Sequence, residues 1–153
     1  MKILIGKDYP KEVIKLIRNA KTNIDILMYH WGFYSRQNNV EAQKFTLALK
    51  SAFHRGVSIR NLLHCGNPGD NLRHKNLETV NHLRSWGIKA KLYTKSGTLH
   101  SKLVLIDKKY AILGSHNISK KAFTTNVETS VVVEGSGDIR RLIEYYNILW
   151  SKI

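Results

Sequence analysis

The chain has 153 residues, 42% hydrophobic and 24% charged, proportions that suit a globular domain able to bury a core of its own. Lys and Arg outnumber Asp and Glu by 25 to 11, a formal charge of +14, and such a field attracts polyanions, nucleic acid first and anionic lipid second. No apolar run approaches the roughly 18 residues that cross a bilayer, the opening MKILIGKDYPKE turns polar too soon for a secretory leader, and the lone cysteine, Cys65, excludes an internal disulfide.

Residues 2–6, KILIG, and 23–31, NIDILMYHW, read as strands, with Val13, Ile14, Ile17 and Ala20 at helical spacing between them. Ala42, Phe45, Ala48, Leu49 and Ala52 mark a second helix that ends near Gly56. VSIRNLLHC, 57–65, is a third strand, closed by a loop holding Gly66, Pro68 and Gly69. A polar helix follows with Leu77, Val80 and Leu83 inward, and stops at Gly87. Four more strands are expected over 88–94, 100–107, 110–115 and 127–134. The last helix carries one stripe of Ile139, Leu142, Ile143, Tyr146, Leu149 and Trp150, with Asp138 at its N-cap or first turn. This order predicts an α/β fold, a mixed, mostly seven-stranded β-sheet flanked by helices, as a single domain over residues 1–153 with no repeat and no linker.

One stretch carries chemistry: TLHSKLVLIDKKYAILGSHN, residues 98–117. Alternate strand residues share a face, so His100 and Lys102 point the same way, roughly 6–7 Å apart, a gap that suits a phosphate. Lysine offers a positive charge and three donors to phosphoryl oxygens. Ser115 and Asn117 add a hydroxyl and an amide from the end of the next strand. Histidine serves as nucleophile or proton carrier near neutral pH.

At every fixed position this stretch fits H-x-K-x4-D-x6-G-S-x-N, and in His100, Lys102, Asp107, Gly114, Ser115 and Asn117 the chain resembles the phospholipase D superfamily. Asn126-Val127-Glu128 resembles the Asn-x-Glu element that follows the motif in many members. The resemblance implies a phospholipase D-like fold and a phosphodiesterase in which one histidine attacks phosphorus while a second protonates the leaving oxygen. Larger members carry two motif copies, whereas this chain has one, so a homodimer with a composite active site is expected. His100 is then nucleophile in one protomer and acid–base in the other, Lys102 and Asn117 bind phosphate, Ser115 supports the phosphate or the histidine, and Glu128 orients an imidazole. Asp107 falls on the opposite strand face from His100, so a structural role is favoured for it, as for Gly114.

No cofactor and no metal is expected. His64 beside Cys65 is too little for zinc, and His30, His54, His74, His82 and His116 show no ligand spacing, although His116 occupies the variable slot of Gly-Ser-x-Asn and is expected near the pocket's border.

The expected substrate is nucleic acid, DNA first and RNA second, because the charge suits a phosphate backbone and the resemblance is to small single-motif dimeric endonucleases of the superfamily. The expected contacts are Lys108 and Lys109 in the motif's turn, Lys120 and Lys121 after it, and Arg73 and Lys75 beyond the 66–71 loop. Trp31, with Phe33 and Tyr34, runs into the polar loop at 35–39 and is a candidate for stacking on bases, set against packing under that loop. The alternative is a lipid phosphodiesterase of the cardiolipin-cleaving kind. Against that reading stand the missing membrane anchor and lipidation signal, and the absence of a signal peptide and of a transmembrane segment underlies an expected cytoplasmic location. A binding module without catalysis is the third class, disfavoured because the His, Lys, Asn and Glu are all intact.

Overall fold

A computed structural model describes residues 1–34, 40–135 and 137–153. Seven strands form one sheet: β1 (Lys2–Ile5), β2 (Asn23–Met28), β3 (Ser58–His64), β4 (Lys89–Tyr93), β5 (Lys102–Ile106), β6 (Tyr110–Gly114) and β7 (Thr129–Glu134), in the order β1-β7-β6-β5-β2-β3-β4. β2, β3 and β4 are parallel, and β5, β6, β7 and β1 continue the sheet in antiparallel pairs. The parallel strands are linked by helices α2 (Glu41–His54) and α3 (Asn71–Ser85), as parallel neighbours require. The mixed seven-stranded sheet is the one the periodicity predicts.

Strand alternation sorts the side chains into two cores. Ile24, Ile26, Met28, Val104, Ile106 and Ile112 pack with α1 (Asp8–Asn19), α2, α3 and the short α4 (Lys120–Thr124). Leu27, Leu62, Leu103, Leu105 and Ala111 pack on the other face with Ile139, Tyr146 and Leu149 of α5 (Gly137–Ser151). α5 is also held by charge: Arg60 on β3 makes two 2.7 Å bonds to Asp25 on β2 and one of 2.9 Å to Asn147 Oδ1.

One expectation needs correction, and one helix is added to those expected. Leu77, expected inward on α3, is 40% exposed, and the buried positions are Asn76, Thr79, Val80 and Leu83. The helix turns polar groups inward because they have work there: Asn76 Nδ2 donates to the carbonyls of Tyr29 and His64, both at 2.8 Å, and Thr79 Oγ1 donates to Trp31 O at 2.6 Å. α4 was not expected, since five residues are too few for a period; its one local signal is Ser119, whose Oγ caps Ala122 N at 3.2 Å.

β5 and β6 are joined by a tight hairpin turn in which Asp107 and Lys108 both have φ of 54° and Lys109 N donates to Ile106 O at 3.0 Å. Aspartate tolerates this left-handed region better than most residues. Its carboxylate then gathers the chain entering β2, accepting from the amides of Lys21, Thr22 and Asn23 and from Thr22 Oγ1 at 2.8–3.2 Å. Burial pushes the Asp107 carboxyl up, but these donors outweigh it and hold it below its ordinary value. Losing them in Asp107→Ala is expected to cost about 1–2 kcal/mol in denaturant unfolding. A depressed carboxyl stabilises above its unfolded value, about 3.9, and the benefit fades as pH falls through the lower folded value, so the gap between wild type and variant closes in acid. The companion Asp107→Asn is expected to keep its turnover per folded molecule; a folded protein with none would make Asp107 part of the chemistry.

Candidate functional site

The strand directions bring one set of ends together. β2 ends at Met28 before Tyr29 and His30, β3 ends at His64, and β6 ends at Gly114 before Ser115 and Asn117. β5 and β7 run the other way, so their starts, with His100, Lys102 and Glu128, lie at the same end of the sheet. His100 sits two residues ahead of β5 rather than within it, and is exposed.

Lys102 folds back onto His100. Its Nζ lies 3.1 Å from Nε2 and 3.3 Å from Nδ1 of the imidazole and donates to His100 O at 2.8 Å. The ammonium therefore fills the gap expected for a phosphate. Burial lowers the Lys102 pKa against the opposing pull of Glu128. Tyr29 braces the pair, with its ring centroid 4.8 Å from that of His100 and 5.0 Å from Lys102 Nζ.

On the next strand Ser115 Oγ donates to Glu128 Oε2 and accepts from Thr129 N at 3.1 Å, while Asn126 Nδ2 donates to Glu128 Oε1 at 3.1 Å. Glu128 thus bonds Ser115 and Asn126, with no bond to the His100 of its own chain among the described residues. Asn117 Oδ1 accepts from His30 N at 3.1 Å, which turns its Nδ2 into the free donor; it donates to no described residue. Gly114 lets β7 come this close. A Cβ there would overlap Ser130 Oγ and Thr129 O, and would lie 2.5 Å from Ser130 Cα.

The structure gathers His100, Lys102, Ser115, Asn117 and Glu128, and separates others. Lys108 and Lys109, expected near the site, lie in the hairpin turn at the far end of β5, where Lys109 pairs with Glu134 at 3.2 Å. The five-residue strand β5, which begins at Lys102 and ends just before Asp107, carries them away. Trp31 is fully buried, its Nε1 donating to Thr46 Oγ1 at 3.1 Å and its ring set edge-on to Phe45, so it offers no face to a base. Phe33 stacks on His82 at 3.7 Å, and Tyr34 Oη accepts from Lys120 N at 2.9 Å; the polar loop 35–39 lies outside the described residues. Lys120 and Lys121 stand exposed three and four residues after Asn117, and Arg73 and Lys75 lie in the first turns of α3 beside the same end. His116 belongs to the core: fully buried, stacked on Tyr9 at 4.3 Å and bonded to Ser130 Oγ and Gly6 O.

Two neighbours of His100 were missed. Tyr29 and His64 both follow or end parallel strands, where α/β sheets place their sites, and that position was the available signal. Their rings stack at 5.4 Å, and His64 Nδ1 accepts from Leu99 N at 3.3 Å, which buttresses the residue before His100. Burial and the nearby His100 push the His64 pKa down, partly opposed by Asp70. Among the described residues no three His, Cys, Asp or Glu side chains are grouped as a metal site would need.

The sequence matches the family described as "Cardiolipin synthase, PLD-like domain" over residues 13–150. It is 32% identical over 140 residues to a phospholipase D of Rickettsia prowazekii, covering 92% of this chain and 60% of that protein. It is 27% identical over 105 residues to the mitochondrial cardiolipin hydrolase of Mus musculus, covering 69% of this chain and 45% of that one. The chain thus spans only about half the length of these curated relatives. The fold is that of Nuc from Salmonella typhimurium, a phospholipase D family member, with a TM-score of 0.80 at 21% identity over 97% of this chain and 93% of that one.

Gly114→Ala is expected to push β7 from β6, part Ser115 from Glu128, and lower stability by about 1–3 kcal/mol through overpacking. Any phosphodiesterase activity should fall with it, although Gly114 brings no side chain to the site. Thermal unfolding alongside turnover per folded molecule measures both losses.

Proposed function

The chain belongs to the phospholipase D superfamily, and from that premise we propose that it is a metal-independent endonuclease acting on DNA, with RNA as the second candidate, through a phosphohistidine formed at a dimer-shared site. The observation that carries the reading is the pair of exposed His100 and half-buried Lys102, one per chain, set beside Ser115, Asn117 and Glu128 at one open end of the sheet.

His100 attacks phosphorus, forming an N–P bond as the P–O bond to the leaving group breaks, and the imidazole of a second copy gives its proton to the departing oxygen. Water then loses a proton to that second imidazole and attacks phosphorus, and the N–P bond breaks. Lys102 swings from the imidazole to the phosphoryl oxygens, with Asn117 Nδ2 as a further donor. Glu128, unbonded to its own His100, accepts from the imidazole of the second copy and fixes its tautomer. Two apolar side chains stand open beside this place: Val127 is wholly exposed, and Ile5, paired with Thr129, is 65% exposed. A second copy covering them would lose water from both.

Nucleic acid is favoured over lipid by the charge of +14 and by Arg73, Lys75, Lys120 and Lys121 at the His100 end. Cardiolipin, named in the family description and in the mouse relative, makes an anionic phospholipid the second reading. No helix among the described residues is long and apolar enough to cross a membrane.

Wild type is expected to cut single- or double-stranded DNA or RNA in excess EDTA while His100→Ala does not; a folded wild type that cuts none overturns the nuclease reading. Subunit exchange tests the shared site. If both histidines are needed, an equal mixture of wild type and His100→Ala retains about a quarter of the activity of wild type at the same total protein. Retention of about half would mean that each chain works alone.

A further inference from the structure

Beside the His–Lys pair lies a second concavity that none of the motif residues lines. It is an open cleft of about 730 Å³ between the loop after β3 and the loop after β4, with Tyr29, His64, Tyr93, Asp70, Arg73 and Lys95 on its walls. That volume falls in the range of small-molecule sites. Tyr29 belongs to both places, since the ring that meets His100 edge-on at 4.8 Å also forms a wall of the cleft. Whatever fills the cleft adjoins the phosphorus that His100 attacks.

The walls are of two chemical kinds. Tyr29 and His64 present nearly parallel rings, 20° apart, and Tyr93 pairs with His64 in the sheet register. Because His64 Nδ1 accepts from Leu99 N, the neutral ring carries its proton on Nε2 and offers one further donor. Arg73 and Lys95 supply cations with no ion-pair partner among the described residues. Asp70, whose carboxylate accepts from Asn67 N at 3.0 Å, supplies an acceptor. Gly66, with φ of 70°, lets the loop after β3 pack closely on the start of α3: a Cβ there would come within 3.2 Å of Arg73 Cβ and 3.3 Å of its backbone nitrogen. Aromatic faces, edge-reading polar groups and cations together match a base, its hydrogen-bonding edge and a phosphate.

We propose that this cleft is a nucleotide subsite, holding the nucleoside on one side of the scissile phosphate against Tyr29, His64 and Tyr93, with Arg73 and Lys95 on the next phosphate along the strand. The inference rests on the nuclease reading and gives it a direction: the strand leaves His100 toward β3 and β4, away from Glu128.

Two substrates separate the subsite from the chemistry: a short single-stranded DNA oligonucleotide, and bis(p-nitrophenyl) phosphate, which has the diester but no nucleoside. In the double variant Arg73→Ala/Lys95→Ala, KM for the oligonucleotide is expected to rise about tenfold, while kcat/KM for the small diester stays within about twofold. The small diester thus also reports that the variant is folded. Lys108→Ala/Lys109→Ala removes the same charge at the far end of the sheet and is expected to leave both substrates unchanged, which isolates position from net charge. If the two double variants weaken oligonucleotide cleavage equally, or neither does, the subsite is overturned. A wild type that hydrolyses the small diester but no nucleic acid overturns the nuclease reading itself, before any variant is made.

Discussion

The approach of β6 to β7 at Gly114 sets the whole open end of the sheet. Gly114 sits opposite Ser130, and the space a side chain would need is taken by Ser130 Oγ and Thr129 O. This close approach brings Ser115 within reach of both Glu128 and Thr129 N, so that one hydroxyl joins the two strands just beyond their last pairing. His116, next in sequence, is locked from beneath by the same Ser130 and by Gly6 O. A wider spacing would loosen the hydroxyl, the carboxylate and the buried imidazole at once. A glycine between a strand and a site is thus a distance constraint, here without any left-handed φ.

The spacing of the motif is the geometry of one hairpin. Four residues separate Lys102 from Asp107, which makes β5 five residues long before the turn; six separate Asp107 from Gly114, which completes the turn and the returning strand. The register pairs Leu103 with Leu113, so Lys102 and Gly114 stand opposite as the hairpin opens toward His100 and Ser115. One residue more or less in either arm would turn the following side chains to the other face. Asp107 is part of the same constraint although it lies at the other end, because its turn and its grip on residues 21–23 fix where the hairpin meets β2.

What sequence could and could not reveal follows from this. The strands were legible because Val, Ile and Leu alternate or run together between glycine and polar breaks, and β5 and β6 carry a motif whose spacing is itself structural. Leu77 was misplaced because an apolar residue on a helix reads as core, whereas α3 turns Asn76 and Thr79 inward to satisfy the carbonyls of Tyr29, His64 and Trp31. Trp31 left two readings open, stacking on bases or packing under the polar loop that follows it, and its ring packs on Phe45 from a helix that begins ten residues later. Lys108 and Lys109 are close to His100 in sequence and a strand length away in space. Tyr29 and His64 escaped because their place depends on strand order: β5 lies beside β2, and no local pattern states that.

The two ends of the sheet treat their polar groups differently, and that difference separates fold from function. At the hairpin turn the carboxylates are occupied: Asp107 holds three backbone amides and a hydroxyl, Glu134 pairs with Lys109, and the effect is stability. At the other end capacity is left over. Among the described residues Asn117 is oriented by one bond and keeps its amide donor free, His30 Nε2 is buried without a partner, and Lys102 hydrogen-bonds only to the imidazole and carbonyl of His100. Unsatisfied polar groups are costly, so spare donors beside an exposed imidazole leave this end able to take up a ligand that the fold does not itself supply. On the proposed reading, an anionic diester would answer that set better than water does, because one phosphate could take the donors of Lys102 and Asn117 together while its phosphorus faced His100.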